Sequence, residues 1–165
     1  QKESTTEQHK VYLGLGSNLG NRKAIMREAI EKINEKVGAV VRQSSFYETA
    51  PWGYESPNKF INACIRIDSP LAPHDLLETT QKIEHELGRV HKTSLNRYED
   101  RIIDIDILLY DNLEISEPDL QIPHPLMYKR DFVMRPLKEI LKTSSHHSIR
   151  EFGLTENSHS AVSPH

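Results

Sequence analysis

With 165 residues the chain has room for one domain with a real core and is short for two. A formal net charge of −3 carries no polyelectrolyte signal, so neither nucleic acid nor an anionic membrane is an expected partner. No apolar run approaches the roughly 20 residues of a membrane span and no signal-type segment opens the chain, which makes the cytoplasm the default compartment. Cys64, the single cysteine, lies in an apolar segment and reads as a buried thiol in a reducing compartment.

Residues 1–9 are polar and aperiodic and read as a terminal tail. Val11-Tyr-Leu-Gly-Leu-Gly16 is a short buried-strand candidate that runs into a loop of turn formers, Gly16-Ser-Asn-Leu-Gly20-Asn21. The spacing of Gly14, Gly16 and Gly20 misses the dinucleotide fingerprint, and no Lys-Ser/Thr pair follows, so neither a Rossmann nor a P-loop site is indicated. These glycines fit a tight turn or the close approach of a ligand equally well. From Arg22 to Val37, apolar Ile25, Ala29, Ile33 and Val37 recur at helical spacing, and Gly38 stands where a helix cap belongs. Ala39 to Tyr47 reads as a strand. The loop from Thr49 to Pro57 carries Trp52 and Tyr54, which suit a core anchor or a pocket wall. Phe60 to Ile67 reads as a further strand, with Phe60, Asn62 and Cys64 on one face; a buried Asn62 needs partners, either backbone or the edge of a heterocycle. Pro73 opens a second helix with Leu76, Leu77, Thr80, Ile83 and Leu87 on one face, Gln81 and Glu84 one turn apart, and Gly88 at its end.

Residues 89–101 form a long loop in which Arg89, Lys92, Arg97 and Arg101 give a local positive excess. It runs into Arg101-Ile-Ile-Asp104-Ile-Asp106-Ile-Leu-Leu-Tyr110. On a strand, Asp104, Asp106 and Leu108 share one side and Ile105, Ile107 and Leu109 the other, with the two carboxylates roughly 7 Å apart. Two like charges that close need a cation. Either magnesium with substrate phosphates or nearby arginines would serve, and spacing alone does not choose. The convergence of cations and carboxylates fits a bound polyphosphate. Beyond a turn at Asp111-Asn112, a short strand is expected near Leu113 to Ile115. Ile122-Pro123-His124-Pro125 is a rigid segment that pins His124, and Val133 to Leu141 is a short helix with Pro136 near its start. From about Ser144 the chain is a polar tail.

Several of these pieces, taken together and in order, resemble one family, the 6-hydroxymethyl-7,8-dihydropterin pyrophosphokinases of folate biosynthesis. They are Leu-Gly-Ser-Asn-Leu-Gly at 15–20, Ser-Ser-Phe-Tyr-Glu-Thr-Ala-Pro at 44–51, Phe-Ile-Asn-Ala at 60–63, Gln81-Lys-Ile-Glu84 with Gly88-Arg89, Arg101-Ile-Ile-Asp104-Ile-Asp106, Ile-Pro-His124, and Arg130-Asp-Phe132. The resemblance implies a ferredoxin-like α+β sandwich, an antiparallel-type sheet with helices packed on one face and further additions, over a domain of residues 10–143 flanked by polar tails at 1–9 and 144–165. It implies transfer of pyrophosphate from ATP, the co-substrate, to the pterin hydroxymethyl group. Carried over by position, Asp104 and Asp106 would hold two magnesium ions (Mg2+), and Arg89 and Arg101 would neutralise phosphate charge, Arg101 in the transition state. Gln81, Glu84, Lys92, Tyr98, His124 and Arg130 would contact ATP. Phe60 and Phe132 would sandwich the pterin, with Thr49, Asn62 and the backbone at Ala50 and Trp52 meeting its hydrogen-bonding edge.

The chain departs from that family in two places: Tyr98-Glu99-Asp100-Arg101 stands where Trp-Gly-Pro-Arg is common, bringing negative charge near phosphate, and the loop from Arg89 to Arg101 is slightly longer than is usual there. Pro125 after His124 is a smaller departure. Two other readings of the same fold compete: a metabolite-binding module without turnover, and an RNA-binding domain. Retention of both aspartates with Arg89 and Arg101 favours catalysis over the first. The second is opposed by carboxylates on the sheet, which repel RNA phosphates. The expected partners are therefore small molecules, bound by a monomer.

Overall fold

The computed structural model describes residues 7–88 and 102–141. Its elements are β1 (His9–Ser17), α1 (Arg22–Lys36), β2 (Ala39–Gln43), β3 (Tyr47–Thr49), β4 (Phe60–Ser69), α2 (Pro73–Glu86), β5 (Asp104–Tyr110), β6 (Ile115–Glu117), β7 (Leu120–Ile122), a single 3-10 turn at Met127–Lys129, and α3 (Asp131–Leu141). The main sheet runs β2-β4-β1-β5 with every neighbouring pair antiparallel. β3 pairs with β4 as well, and β6 and β7 make a separate hairpin. With β1 and β4 central and two helices crossing between strands, this is the ferredoxin-like α+β sandwich that the sequence leads one to expect.

Alternation along β1 divides the molecule. Val11, Leu13 and Leu15 enter one core with Met26, Ala29, Ile30 and Ile33 of α1, Leu76 and Ile83 of α2, and Ile61, Ala63, Ile65 and Ile67 of β4. On the opposite face Tyr12, Cys64, Leu108 and Leu109 lie under Val133, Met134, Leu137, Ile140 and Leu141 of α3. Helices α1 and α2 thus cover one face, and α3, an addition to the basic sandwich, covers only part of the other. The remainder of that second face is where the candidate site lies.

Local chemistry accounts for the helix ends. The Asn21 side chain accepts from the Ala24 amide at 3.4 Å to cap α1, and the Val37 amide closes on Ile33 O at 2.9 Å. Met26 rather than Ile25 centres the buried face of this helix. Gly38 has a different reason from the cap geometry expected of it. A Cβ there would stand 2.4 Å from Asp68 O, so glycine is what lets β4 pass. Gly88, at φ +114°, does occupy the left-handed region that ends α2.

Three expected elements need correction. The strand expected from Ala39 to Tyr47 splits in two, because the buried Ser44 turns its hydroxyl onto the Cys64 amide (2.9 Å) and interrupts the ladder before β3 re-pairs with β4. The short strand expected near Leu113 to Ile115 is a hairpin, β6 and β7, whose three-residue arms are too short to show a period. Leu109 does not share a side with Ile105 and Ile107. Tyr12 faces Leu109 while Leu13 faces Ile107, so Leu108 is an extra residue, and both leucines turn under α3. A lost ladder bond costs about 1 kcal/mol, whereas burying one leucine gains about 2 kcal/mol, so the bulge is favoured where α3 offers it cover.

Candidate active site

The floor of the site is built from glycine. On the uncovered face β1 presents Gly14 and Gly16, and cross-strand register puts each between two functional positions. Gly16 lies between Asn62 of β4 and Asp104 of β5, and Gly14 between Cys64 and Asp106. Backbone alone separates the amide side from the carboxylate side, over two strand spacings or roughly 10 Å. A Cβ at Gly16 would come within 2.8 Å of Asn62 Oδ1 and 3.5 Å of Phe60 Cδ1. The glycines therefore keep a trough open as well as leading into a turn.

The walls rise on the amide side and from α3. Asn62, 5% exposed, donates from Nδ2 to Thr49 Oγ1 at 2.7 Å, which fixes both polar groups at the edge of the trough. Phe60 and Phe132, both half-buried, line the cleft together with Ala50, Trp52 and Tyr54. The Arg130 guanidinium lies 4.7 Å from the Trp52 ring centre and 5.6 Å from that of Phe132. Its Nε is buried with no hydrogen-bond partner among the described residues. Asn18 donates to Asn58 O (3.0 Å) and to the Tyr54 hydroxyl (3.2 Å), tying the turn after β1 to the aromatic loop. These residues enclose one continuous cleft that is open to solvent at its mouth.

Of the site residues read from the sequence, Thr49, Ala50, Trp52, Phe60, Asn62, Asp104, Asp106, Arg130 and Phe132 come together in this one cleft. Gln81, Glu84 and His124 do not line it. Gln81 is exposed on α2, and Glu84 is buried with Oε2 accepting from the Ile105 amide at 2.7 Å, a grip on β5 between the two aspartates that the sequence does not announce. His124 is tied to β5 through its amide, which donates to Leu108 O at 3.1 Å. Its Nδ1 accepts from the Leu126 amide at 3.3 Å, which leaves the proton of the neutral ring on Nε2. Arg89, Lys92, Tyr98 and Arg101 lie outside the described residues. Sequence reasoning left Gly14 and Gly16 open between a tight turn and a ligand's approach, and missed Leu108, Cys64 and Val133 as lining. The alternate glycines of β1, set against the alternate acids of β5, are the signal that points to them.

Asp104 and Asp106, half-buried on one side of β5, offer hard oxygen donors suited to magnesium, which would complete its shell with water and phosphate. Elsewhere among the described residues His74, Glu117 and Asp119 also converge, but they are exposed, outside the cleft, and His74 and Glu117 are already joined by a 2.8 Å hydrogen bond between α2 and the β6–β7 hairpin. Burial pushes the Cys64 thiol up, with Glu139 adding to the effect, so this thiol is protonated and a poor nucleophile at neutral pH.

A family model described as 7,8-dihydro-6-hydroxymethylpterin-pyrophosphokinase matches residues 12–142. Over 131 residues, 79% of this chain and 89% of the relative, the sequence is 49% identical to a 2-amino-4-hydroxy-6-hydroxymethyldihydropteridine pyrophosphokinase of Porphyromonas gingivalis. It is 43% identical to the enzyme of that name from Bacillus subtilis over 130 residues, 78% of this chain and 76% of the relative. Among solved structures, an HPPK-DHPS in complex with substrates superposes with a TM-score of 0.66 at 16% identity, covering 86% of this chain and 41% of that one. A Plasmodium falciparum HPPK-DHPS triple mutant gives 0.65, also at 16% identity, over 85% and 41%. This chain spans about two fifths of those longer proteins, and at such identity they speak to the fold.

Proposed function

The chain belongs to the 7,8-dihydro-6-hydroxymethylpterin-pyrophosphokinase family, and from that premise we propose that it moves the outer two phosphates of ATP onto the hydroxymethyl oxygen of 6-hydroxymethyl-7,8-dihydropterin, releasing AMP, as a step of folate biosynthesis. The observation that carries this reading is the opposition, across a glycine floor, of the Asn62–Thr49 pair to Asp104 and Asp106.

A pterin is a flat heterocycle with donors and acceptors along one edge. Phe60 and Phe132 stack its faces, and Thr49, Asn62 and the backbone at Ala50 and Trp52 meet the polar edge. Its hydroxymethyl group then points across the floor toward the aspartates. Asp104 and Asp106 would hold magnesium, two ions in this reading, and bound metal supplies charge neutralisation on the phosphates. Glu84 stiffens the aspartate strand through the Ile105 amide. ATP lies along the side of β5, met by Gln81, Glu84, Lys92, Tyr98 and His124. Arg130, whose guanidinium lies against the Trp52 and Phe132 rings, suits a phosphate oxygen close to the alcohol. Arg89 and Arg101 neutralise the phosphates, Arg101 most strongly as charge develops. Phosphoryl-type transfer asks little covalent chemistry of a protein; holding alcohol and phosphorus in line supplies much of the rate, up to roughly 7–11 kcal/mol of barrier.

The catalytic unit would run from residue 10 to 143, with 1–9 and 144–165 outside it, and act as a cytoplasmic monomer on small molecules. No helix among the described residues is long and apolar enough to cross a membrane, and the buried free thiol of Cys64 suits a reducing compartment.

The test is chromatographic. Protein incubated with ATP, magnesium and 6-hydroxymethyl-7,8-dihydropterin should yield AMP and the pterin diphosphate in equal amounts, and only with all three present. Folded protein that makes no more AMP than its Asp104→Ala/Asp106→Ala variant would leave a binding module in place of an enzyme.

A further inference from the structure

A polar cluster away from the trough joins the two elements that form its walls. Glu139 of α3 is half-buried and fully engaged. Its Oε1 accepts from the Tyr47 hydroxyl at 2.8 Å, its Oε2 from the Ser45 hydroxyl at 3.0 Å, and both oxygens from the Ser45 amide at 3.1 Å. Tyr47 is 5% exposed, and burial, reinforced by the bond to Glu139, pushes its phenol up, so it remains a donor. Hydrogen bonds to a charged acceptor are about twice as strong as neutral ones.

The geometry gives this carboxylate a reach beyond its own contacts. Tyr47 and Thr49 are two residues apart on β3 and so share a face, about 7 Å from each other. Phe132 and Glu139 are seven residues apart on α3, two turns along the same stripe, about 10 Å from each other. One end of each element meets at Glu139; the other end of each is a wall of the cleft, Thr49 of β3 bonded to Asn62 of β4, and Phe132 of α3 beside Arg130 just before that helix. The other contacts of α3 with the sheet include the apolar burial of Val133, Met134, Leu137, Ile140 and Leu141 and a long bond from the Cys64 thiol to Val133 O (3.8 Å). Apolar burial of that kind is non-directional: it holds a helix on a sheet and leaves it free to slide by fractions of an ångström. A carboxylate with a fixed hydroxyl on each oxygen does not allow that.

We propose that Glu139, held by Ser45 and Tyr47, is a positioning residue for the heterocycle slot, setting the separation between Phe132 on α3 and Thr49 on β3. The proposal rests on the reading of the cleft as a pterin site and adds to it what fixes the grip on that substrate. Glu139 acts through Phe132 and Thr49, two turns of helix away from the slot it gauges.

Tyr47→Phe, Glu139→Gln and Ile140→Val test it, each read in two ways. Without any substrate, acrylamide quenching of Trp52, the single tryptophan, reports whether the Arg130 end of α3 has moved. In turnover, KM for the pterin is separated from KM for ATP and from kcat. Tyr47→Phe should raise the pterin KM about tenfold, the equivalent of one lost hydrogen bond, and increase Trp52 quenching. Glu139→Gln, whose amide oxygen still accepts, should show a smaller change in both. ATP KM and kcat at saturation should stay within about twofold. Ile140→Val, which loosens the same helix away from the carboxylate, should lower the melting temperature and leave both readouts at wild-type values. The proposal is overturned if Tyr47→Phe and Glu139→Gln lower the melting temperature but leave Trp52 quenching and pterin KM unchanged. If the wild-type protein makes no AMP, the functional reading fails, and Trp52 quenching still decides the role of Glu139.

Discussion

An alanine methyl at Gly16 would stand 2.8 Å from Asn62 Oδ1, and Asn62 in turn holds Thr49 at 2.7 Å. Gly16→Ala must displace that amide, so it should raise the Kd for the pterin about tenfold or more while leaving ATP affinity near wild type; calorimetry with each ligand separately checks this. Wild-type pterin affinity in that variant would mean Asn62 is not the edge that reads the ring. Two buried acids give a second test, through pH. Burial, then Glu139, raises Cys64 from 9.0, and burial, then Glu139, raises Tyr47 from 10.0. The unfolded chain ionises these groups from pH 9 and pH 10, and the folded one does not. Above pH 9 the unfolded state therefore binds fewer protons, and stability falls as pH rises. Urea midpoints should be level up to pH 9 on account of these groups and then decline. Cys64→Ala should remove the part of the decline that starts at pH 9 and leave the part that starts near pH 10. The aspartates of β5 were legible because two acids at alternate positions stand out in an apolar run. The purpose of Gly16 was not, since it depends on Asn62 and Asp104, which only the folded sheet places on either side of it.

Spacing of apolar residues was enough to find α1 and α2, because both are long and each buries a single stripe. It failed where a side chain competes with the ladder, as Ser44 does between β2 and β3, and where pattern is absent. Ile107-Leu-Leu-Tyr110 is apolar throughout, so nothing in it says which residue is the extra one; cover from α3 decides that Leu108 and Leu109 both turn the same way. That bulge also supports the site, since Leu108, 1% exposed, packs against Gly14 and lines the trough. Leu108→Ala should therefore cost about 3 kcal/mol, the usual penalty for an aliphatic cavity, and raise the pterin KM as the floor and α3 lose common support. Urea unfolding and steady-state kinetics on the same preparation would show both effects. A stability loss with unaltered KM would uncouple α3 from the trough.

One face of the sheet is given wholly to the core, and the other is shared between α3 and the trough; on the proposed function the trough holds two half-sites, which pterin and ATP should stabilise independently. The order of motifs along the chain made this architecture readable. The cationic loop with Arg89, Lys92, Tyr98 and Arg101 lies outside the described residues. Linkage turns the division into a measurement. A ligand at a hundred times its Kd stabilises by about 2.7 kcal/mol, which for a domain of this size is a rise in melting temperature of roughly 8 °C. On the proposed function the pterin is held by Phe60, Phe132, Thr49 and Asn62, with no metal among its contacts, and should give its shift with or without EDTA. ATP should give its shift only with magnesium, because without metal its phosphates meet Asp104 and Asp106 as like charges. Asp104→Asn keeps the shape of the side chain and removes a charged donor, so it should keep the pterin shift and lose most of the magnesium-dependent ATP shift. Turnover in that variant should fall by about a hundredfold or more, with the fold intact by circular dichroism. If ATP stabilises the Asp104→Asn variant as it does the wild type, or does so equally in EDTA, the carboxylates of β5 are not the metal site, and the nucleotide must be held without them.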